Sequence, residues 1–369
     1  MRAILLATML FVNTAFADEI VGYAAFENGD YATAYPHLVT SANAGNEEAM
    51  YLLGRMYQNG YGVQPNLEEA RQWYKKSAEK NNVLSELSLG FMYDTEKNYA
   101  EAFKWYSKAA EGGNPVAQRN LGLMYVAGEG VPKDQEKAIE WFKKAALQGY
   151  NKAQVNLGYQ YMMGLGTPKD IAQAIEWYKK AAINGDAEGQ YSVGLLYTGQ
   201  QGVAPDDKAA LYWFTQASKQ GHVSAQTYLA YFHLKGFGIE ASPQKAAFWF
   251  KAAAEKGQSE AQAQLGQLYL TGNGVEKDYQ QALYWFTKSS DQGNPNGQAK
   301  LGYMYLAGLA VPQNLLKAYV WFKLAFNNKN TEVGNELKSI EAKLTEPEKQ
   351  EAEKIIQAIE SSTQSKTAK

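Results

Sequence analysis

Eight tryptophans recur along the chain at a nearly constant spacing, and this spacing restricts the folds that the chain can adopt. Successive tryptophans are 36 residues apart in every step but one, which is 32 residues long, and no other tryptophan occurs in the 369 residues. A fixed period between about 20 and 50 residues indicates a solenoid, in which each repeat contacts mainly its neighbours. The sequence therefore predicts one repeat array. The tryptophans are Trp73, Trp105, Trp141, Trp177, Trp213, Trp249, Trp285 and Trp321.

The residues around each tryptophan follow the pattern of an amphipathic helix. An alanine stands three residues before every tryptophan, and a tyrosine or phenylalanine directly follows it. Apolar positions three and four residues apart share one face of an α-helix, so this segment is predicted to be the second helix of each unit, helix B. A side chain that can accept a hydrogen bond precedes each helix B and predicts its N-cap. These N-caps are Asn66, Asn98, Asp134, Asp170, Asp206, Ser242, Asp278 and Asn314.

A second predicted helix, helix A, precedes helix B and carries the pattern Leu-Gly-x-x-Tyr in six units. A glycine inside a helix costs about 1 kcal/mol relative to alanine. Its repetition therefore predicts that helix B crosses helix A closely at the glycine. A loop such as Gly128-Glu-Gly-Val joins the two helices. We interpret this loop as a turn and not as a phosphate site, because it recurs in nearly every unit and precedes no strand-to-helix motif.

Some units and both ends of the chain depart from the pattern. Ala230 replaces the helix A glycine, His233 replaces the tyrosine, and Ala310 replaces a loop glycine; these departures mark either functional places or sequence drift. The start of the chain has the charged residue, short apolar run and small residues of a secretory signal peptide. The predicted organisation is a signal peptide at 1–17, a degenerate N-terminal capping repeat at 18–45 with His37 in place of tryptophan, eight repeats at 46–328, capping helices at 329–360 and a disordered tail at 361–369.

The unit Ala-x-x-x-Leu-Gly-x-x-Tyr-x-x-Gly-x-Gly-Val-x-x-Asp-x-x-Lys-Ala-x-x-Trp-Phe-x-Lys-Ala-Ala-x-x-Gly resembles the Sel1-like repeat, a relative of the tetratricopeptide repeat. The resemblance implies an all-α, right-handed superhelical solenoid of helix pairs that acts as a scaffold for protein–protein contacts. Exported bacterial members include periplasmic regulators of sensor kinases, envelope-assembly adaptors, and host-contact or host-cell entry factors of pathogens. A cysteine-rich branch has been linked to penicillin binding, but its disulfide framework is absent from this cysteine-free chain.

The resemblance also implies that helix A lines a concave groove, with the positions three before, one after and four after its glycine facing the partner. This strip is mostly uncharged and rich in tyrosine, which is common at protein interfaces. Each tyrosine has an alternative role in packing against the neighbouring helix A. Our hypothesis is that the strip around Tyr159, Tyr191 and Tyr231 receives an extended or helical peptide. The predicted groove residues are Tyr51, Arg55, Phe91, Arg119, Leu123, Tyr159, Met162, Tyr191, Leu195, Tyr231, Leu234 and Tyr303, with Gln267 and Leu270 as further candidates.

The residues that catalysis or metal binding requires are sparse. The chain has three histidines, His37, His222 and His233, and none belongs to a recognisable metal or nucleophile motif. Aspartates such as Asp134 are interpreted as helix caps. We therefore predict no catalytic residue, cofactor or metal ion. Activity on peptidoglycan or a β-lactam would require a carboxylate or serine cluster in the groove, which a sequence does not reveal.

The charge balance and the signal peptide indicate the kind of partner. With 36 basic and 38 acidic residues, the chain has no excess positive charge that would favour nucleic acid or an anionic membrane. The apolar run near the start is shorter than the roughly 20 residues that span a bilayer, so no membrane insertion is expected. We expect an exported monomer, periplasmic or secreted, that binds another protein. Its role is either an envelope adaptor or regulator, or contact with a host protein.

Overall fold

Consecutive pairs of helices make up the chain. The computed structural model describes residues 18–199 and 202–367, and all of the regular structure in these ranges is helical. The predicted signal peptide lies outside the described residues. The first helices are α1 18–27, α2 Tyr31–Asn43, α3 Glu47–Asn59, α4 Leu67–Ala78, α5 Val83–Thr95, α6 Tyr99–Glu111, α7 Pro115–Ala127, α8 Gln135–Leu147, α9 Asn151–Met163 and α10 Ile171–Ile183.

The chain divides into two compact units, an N-terminal unit that ends at Ala181 and a C-terminal unit that begins at Ala182. Within each unit, helices A pack on the helix B that follows, as α3 does on α4 and α15 on α16, and helices B pack on the next helix A, as α4 does on α5 and α16 on α17. The predicted all-α solenoid of helix pairs is confirmed. The later helices are α11 Ala187–Tyr197, α12 Asp207–Lys219, α13 Val223–Lys235, α14 Pro243–Glu255, α15 Ser259–Thr271, α16 Tyr279–Ser290, α17 Pro295–Ala307, α18 Leu315–Asn327, α19 Gly334–Glu341 and α20 Glu346–Thr367.

All eight predicted N-caps of helix B accept a hydrogen bond from a backbone N–H of the first turn. Asp134, for example, accepts from the N–H of Lys137 at 3.0 Å, and this bond lowers the pKa of the Asp134 carboxyl. A cap satisfies backbone donors that have no partner within the helix. The aspartates at these N-caps, such as Asp134, are therefore structural, as predicted.

The glycine of helix A marks the crossing of the two helices, as predicted, and the structure identifies what crosses it. A Cβ atom on Gly122 would lie 2.6 Å from the ring of Phe142, the residue directly after Trp141. Phe142 is fully buried, whereas Trp141 is only half-buried. The Nζ of Lys144 lies 3.7 Å from the centre of the Trp141 ring and covers its outer side. In this repeat Phe142, and not Trp141, therefore fills the centre, whereas Trp105, Trp177 and Trp285 are buried in theirs.

Ala230 and His233 fit the standard unit without changing its backbone. Ala230 is fully buried, so its methyl group is accommodated at the helix crossing. His233 is also buried, and its carbonyl accepts the N–H of the N-cap Ser242 at 2.7 Å, as the tyrosine carbonyl does in other units. Burial, together with the nearby charge of Lys245, lowers the pKa of His233. Both substitutions therefore fit a structural role.

The helices at the two ends close the array. In the N-terminal segment, Nδ1 of His37 lies 2.5 Å from Oδ1 of Asp18. In the C-terminal segment, Val333 and Ile340 are buried in one cluster with Ile356 of α20. Thr345 directly precedes α20, and its N–H donates to the carboxylate of Glu348 at 2.8 Å, as in a capping box. The cluster of Val333, Ile340 and Ile356 covers apolar surface that the last repeat would otherwise expose to water.

Helix α20 continues to Thr367 and so includes most of the segment 361–369, for which the sequence predicts a disordered tail. No glycine or proline interrupts this segment, and the hydroxyl of Ser361 donates to the carbonyl of Gln357 at 2.8 Å. Serine and threonine are weaker helix formers than alanine, but they do not break a helix that is already nucleated.

Candidate partner-binding surface

The twelve predicted groove residues all lie on helices A, but their exposure differs. Phe91, Tyr159 and Tyr303 are open to solvent, with 43%, 45% and 45% of their surfaces exposed. These three have the exposure that direct partner contact requires. The other nine are half-buried, which leaves one edge of each side chain available: Tyr51, Arg55, Arg119, Leu123, Met162, Tyr191, Leu195, Tyr231 and Leu234.

Two tyrosines of the hypothetical peptide strip contact other repeats. Tyr231 on α13 donates its hydroxyl to Glu260 on α15 at 2.6 Å, and its ring packs edge-on against Phe250. Tyr191 on α11 stacks on the imidazole of His222 with ring centres 4.6 Å apart. Burial, with the nearby Tyr228, raises the pKa of Tyr191 to about 12. These rings hold neighbouring repeats together, so replacing them would change the fold as well as any binding.

The two predicted arginines also link neighbouring helices. The guanidinium of Arg55 lies 5.0 Å from the centre of the Phe26 ring, in the N-terminal segment. The Nε of Arg119 donates to Asn156 of the next helix A at 2.9 Å. A contact of a cation with an aromatic ring, or a hydrogen bond to a side-chain amide, fixes the arginine side chain in one direction. The face of helix A is therefore ordered before any partner arrives.

Glu260 is the centre of a polar network on this face. Its carboxylate accepts hydrogen bonds from Tyr231, Gln264 at 2.9 Å, Asn294 at 3.2 Å and Asn296 at 3.3 Å. Burial alone raises the pKa of Glu260, but these four hydrogen bonds outweigh it, so the pKa lies below the usual glutamate value. Because the donors lie on α13, α15 and α17 or at their caps, one ionised carboxylate connects three consecutive helices A.

Replacing Glu260 with glutamine is expected to lower the free energy of unfolding at neutral pH by about 1–3 kcal/mol, because hydrogen bonds to a charged acceptor are lost. The lowered pKa means that the carboxylate stabilises the fold above the ordinary glutamate pKa and loses this effect as the pH falls through the folded value. Urea unfolding at several pH values should therefore show a difference in the free energy of unfolding between the wild type and Glu260→Gln that becomes smaller in acid. Glu255→Gln, at an exposed position of α14, is the matched control. A difference between the wild type and Glu260→Gln that does not depend on pH would contradict the prediction.

A cleft of about 500 Å³ lies at the end of the helix A face of the C-terminal unit. A smaller hollow adjoins it, and the two share the side chains of Gln267, Lys300 and Tyr303. The walls of the cleft are α15 and α17, and the segment after α18 closes one end with Glu332 and Glu336. The cleft therefore combines a predicted aromatic residue with amide groups and charges of both signs.

Sequence reasoning missed two groups of residues that shape this face. Lys300, Glu332 and Glu336 were not predicted, because the segment that brings the two glutamates to the cleft is not part of the repeat. The second group is a series of buried glutamines in helix A, which donate to the carbonyl of an alanine or serine near the end of the previous helix B. The recurring pairs Ala-Gln and Gly-Gln were the signal for Gln118, Gln154, Gln190, Gln226 and Gln262.

The described part of the chain has neither a metal-binding cluster nor a membrane-spanning helix. Within residues 18–199 and 202–367, no three histidine, aspartate or glutamate side chains are arranged to hold a metal ion. In the same described part of the chain, no helix has both the length and the apolar character that crossing a bilayer demands.

His222 serves as the N-cap of α13, because its Nδ1 accepts from the N–H of Ala225 at 3.1 Å. Its Nε2 therefore carries the proton and donates to Glu188 at 3.0 Å.

Comparison with known proteins assigns the repeat. Two solved structures are similar over most of the chain. A protective antigen of uropathogenic Escherichia coli strains, which displays an SLR fold, is 35% identical, covers 94% of this chain and 76% of its own, and has a TM-score of 0.84. A Sel1 repeat protein from Oxalobacter formigenes is 33% identical, covers 83% of this chain and 90% of its own, and has a TM-score of 0.66. A comparison with curated proteins found no match.

The family model of the Sel1 repeat matches the chain eight times in succession. Repeats of this type generally mediate protein–protein interactions and are typically non-catalytic scaffolds. The matched residues are 47–82, 85–114, 115–150, 151–186, 187–222, 223–258, 259–294 and 295–330. With eight matches and two similar structures above 30% identity, the chain belongs to the Sel1 repeat family.

Proposed function

We propose that the protein is an exported, non-catalytic adaptor that binds a segment of a partner protein on the helix A face. The observation that supports this proposal best is the cleft around Tyr303 in the C-terminal unit. Tyrosine at the centre of a partly enclosed site is a common anchor of protein interfaces, because it supplies a large contact area and a hydroxyl with few rotatable bonds. The sequence pattern that predicted Tyr303 also predicted Gln267 at the corresponding place of the preceding repeat.

The lining of the cleft fits a peptide backbone. The amide groups of Gln264, Gln267 and Asn296 can donate to and accept from peptide groups, as a neighbouring chain would. Ala263 and Ala299 leave room between these amides for side chains of the partner. Shape and polarity of this kind favour an extended segment with a side chain that packs against the Tyr303 ring.

Site-specific photocross-linking in cells tests this proposal. A photoreactive phenylalanine analogue placed at Tyr303 is expected to capture a discrete protein, whereas the same analogue at Leu147, which is 68% exposed on a helix B of the N-terminal unit, should not. Tyr303→Ala should then weaken binding of the captured protein by roughly tenfold or more. Tyr159 and Phe91 offer the same test in the N-terminal unit. These exposed residues are better targets than Tyr191 and Tyr231, whose rings hold repeats together.

The outcome that contradicts the adaptor proposal is an equal pattern of cross-links from Tyr303 and Leu147. Unchanged affinity in a correctly folded Tyr303→Ala variant would also contradict it. Circular dichroism and the midpoint of urea unfolding establish that the variant is folded. Incubation of the wild-type protein with peptidoglycan and with a chromogenic β-lactam should show no turnover, and sustained turnover would replace the adaptor proposal with an enzymatic one.

A second candidate function is contact with a host protein at the cell surface or after release. The specific observation in its favour is the similarity to a protective antigen of uropathogenic Escherichia coli. Cell fractionation distinguishes the two candidates. Recovery of the protein in the periplasm, protected from antibody on intact cells, supports an envelope adaptor or regulator. Labelling of intact cells, or recovery from the medium, supports host contact.

A further inference from the structure

Three consecutive helices B of the C-terminal unit carry an exposed aromatic residue directly before the tryptophan. Tyr212, Phe248 and Tyr284 have 55%, 64% and 51% of their surfaces exposed, and we call these three residues the outer aromatic strip. The corresponding residues of the N-terminal unit are all polar: Gln72, Lys104, Glu140 and Glu176. Since both units use the same repeat, the scaffold does not require an aromatic residue at this position.

The rings of the outer aromatic strip are held in place. Each one packs edge-on against the tryptophan that follows it, with ring centres 5.0, 5.0 and 4.9 Å apart. Phe248 and the buried Phe250 are two residues apart and so point to opposite sides of α14. An exposed and ordered aromatic surface loses little conformational entropy when it is covered, which favours its use in binding.

The surroundings of the strip are mainly basic. Lys245 and Lys251 are exposed one turn before and one turn after Phe248, and the Nζ of Lys288 lies 5.8 Å from the centre of the Tyr284 ring. The acidic residues nearby are fewer, and one of them, Glu255, lies 3.9 Å from Lys251. Aromatic residues with basic flanks are complementary to a partner that combines apolar and acidic side chains.

In the last repeat, the position that corresponds to the strip is buried by the C-terminal helices. In α18 the corresponding residue is Val320, which is only 2% exposed and belongs to one cluster with Ala352 and Ile356 of α20. Helix α20 is amphipathic and acidic, with five glutamates and three lysines between Glu346 and Thr367. At the end of the array, the position that Tyr212, Phe248 and Tyr284 leave open is therefore buried in an apolar cluster, to which the acidic amphipathic helix α20 contributes Ala352 and Ile356.

We propose that the outer aromatic strip is a second docking surface, which binds an acidic amphipathic helix of a partner protein. The proposal does not depend on the cleft around Tyr303, since helix B carries the strip and helix A lines the cleft. One chain would then bind two segments, from one partner or from two, and this arrangement suits an adaptor. Charge complementarity and the cover of Val320 favour a helix over a second copy of the chain or a lipid surface.

The test uses a fluorescent synthetic peptide with the sequence of residues 345–362, capped at both ends, as a probe for the full chain from Asp18. We expect saturable binding in fluorescence anisotropy that is weakened about tenfold or more in the triple variant Tyr212→Ser, Phe248→Ser, Tyr284→Ser. Raised salt should also weaken it. The matched control is Leu67→Ser with Leu147→Ser, at exposed apolar positions of helices B in the N-terminal unit, which should leave binding unchanged.

Other outcomes would overturn the proposal. Absence of peptide binding, or binding that is equal in the wild type and the triple variant, contradicts it directly. A dimer in sedimentation equilibrium that the triple variant abolishes would assign the strip to a second copy of the chain. Flotation with anionic vesicles that the triple variant abolishes would assign it to a lipid surface. Urea unfolding of the triple variant should match the wild type, because all three side chains are exposed, and Tyr303→Ala should leave peptide binding intact.

Discussion

Replacing Phe250 with alanine is expected to lower the free energy of unfolding by about 3–5 kcal/mol. Phe250 is fully buried in α14, and the ring of Tyr231 packs edge-on against it with centres 5.1 Å apart. The side chain lies in one apolar cluster with Ala230 of helix A and Leu265 of the next helix A. Its loss leaves a cavity among three helices whose backbones are already close, so the surroundings have little freedom to collapse into it.

The control for this prediction lies two residues away in the same helix. Phe248→Ala removes the same side chain from a position that is 64% exposed, and it should change stability by less than about 1 kcal/mol. Urea unfolding, followed by circular dichroism and tryptophan fluorescence, measures both variants. Equal losses would mean that burial is not what distinguishes the two phenylalanines. Phe248→Ala should then weaken binding at the outer aromatic strip while the fold stays intact.

The architecture was predictable because its signals are local and repeated. The N-caps, such as Asp134, were identified correctly because a cap depends only on its own helix, and eight copies of the pattern reinforce one another. The close crossing at Gly122 was predicted for the same reason. Burial was less predictable. The tryptophan marks the period of the repeat, but Phe142 fills the centre of its own repeat. The angle between two helices decides which of two neighbouring aromatic side chains faces inward.

The candidate binding surface was predictable only in part. The pattern predicted that Tyr303 lies on the exposed face of helix A, but it gave no sign of the cleft beside it, because Glu332 and Glu336 belong to a segment outside the repeat. It also did not separate Tyr303 from Tyr231, although the first is exposed and the second donates to Glu260. Equivalent positions have different neighbours in different repeats, and a pattern shared by all repeats contains no information on these neighbours.

Gly274→Ala is expected to destabilise the C-terminal unit by about 2–4 kcal/mol. Gly274 has a φ of +79°, a left-handed conformation that costs an alanine about 1–2 kcal/mol. A Cβ atom there would also lie 2.3 Å from the carbonyl carbon and oxygen of Pro243, at the start of the previous helix B. Backbone atoms do not rotate away as a side chain does, so the methyl group would push the loop away from the neighbouring repeat.

Gly257→Ala separates the two contributions, because Gly257 has a φ of +88° but no atom within 4 Å of the added methyl group. It should cost about 1–2 kcal/mol, the left-handed strain alone. Ala310, in the place that corresponds to Gly274, adopts a φ of +59°, so Ala310→Gly should stabilise the chain by up to about 1 kcal/mol. If Gly274→Ala lowers the free energy of unfolding in urea no more than Gly257→Ala does, Gly274 is needed for the turn alone. A larger loss for Gly274→Ala means that contact between repeats requires a glycine at this position.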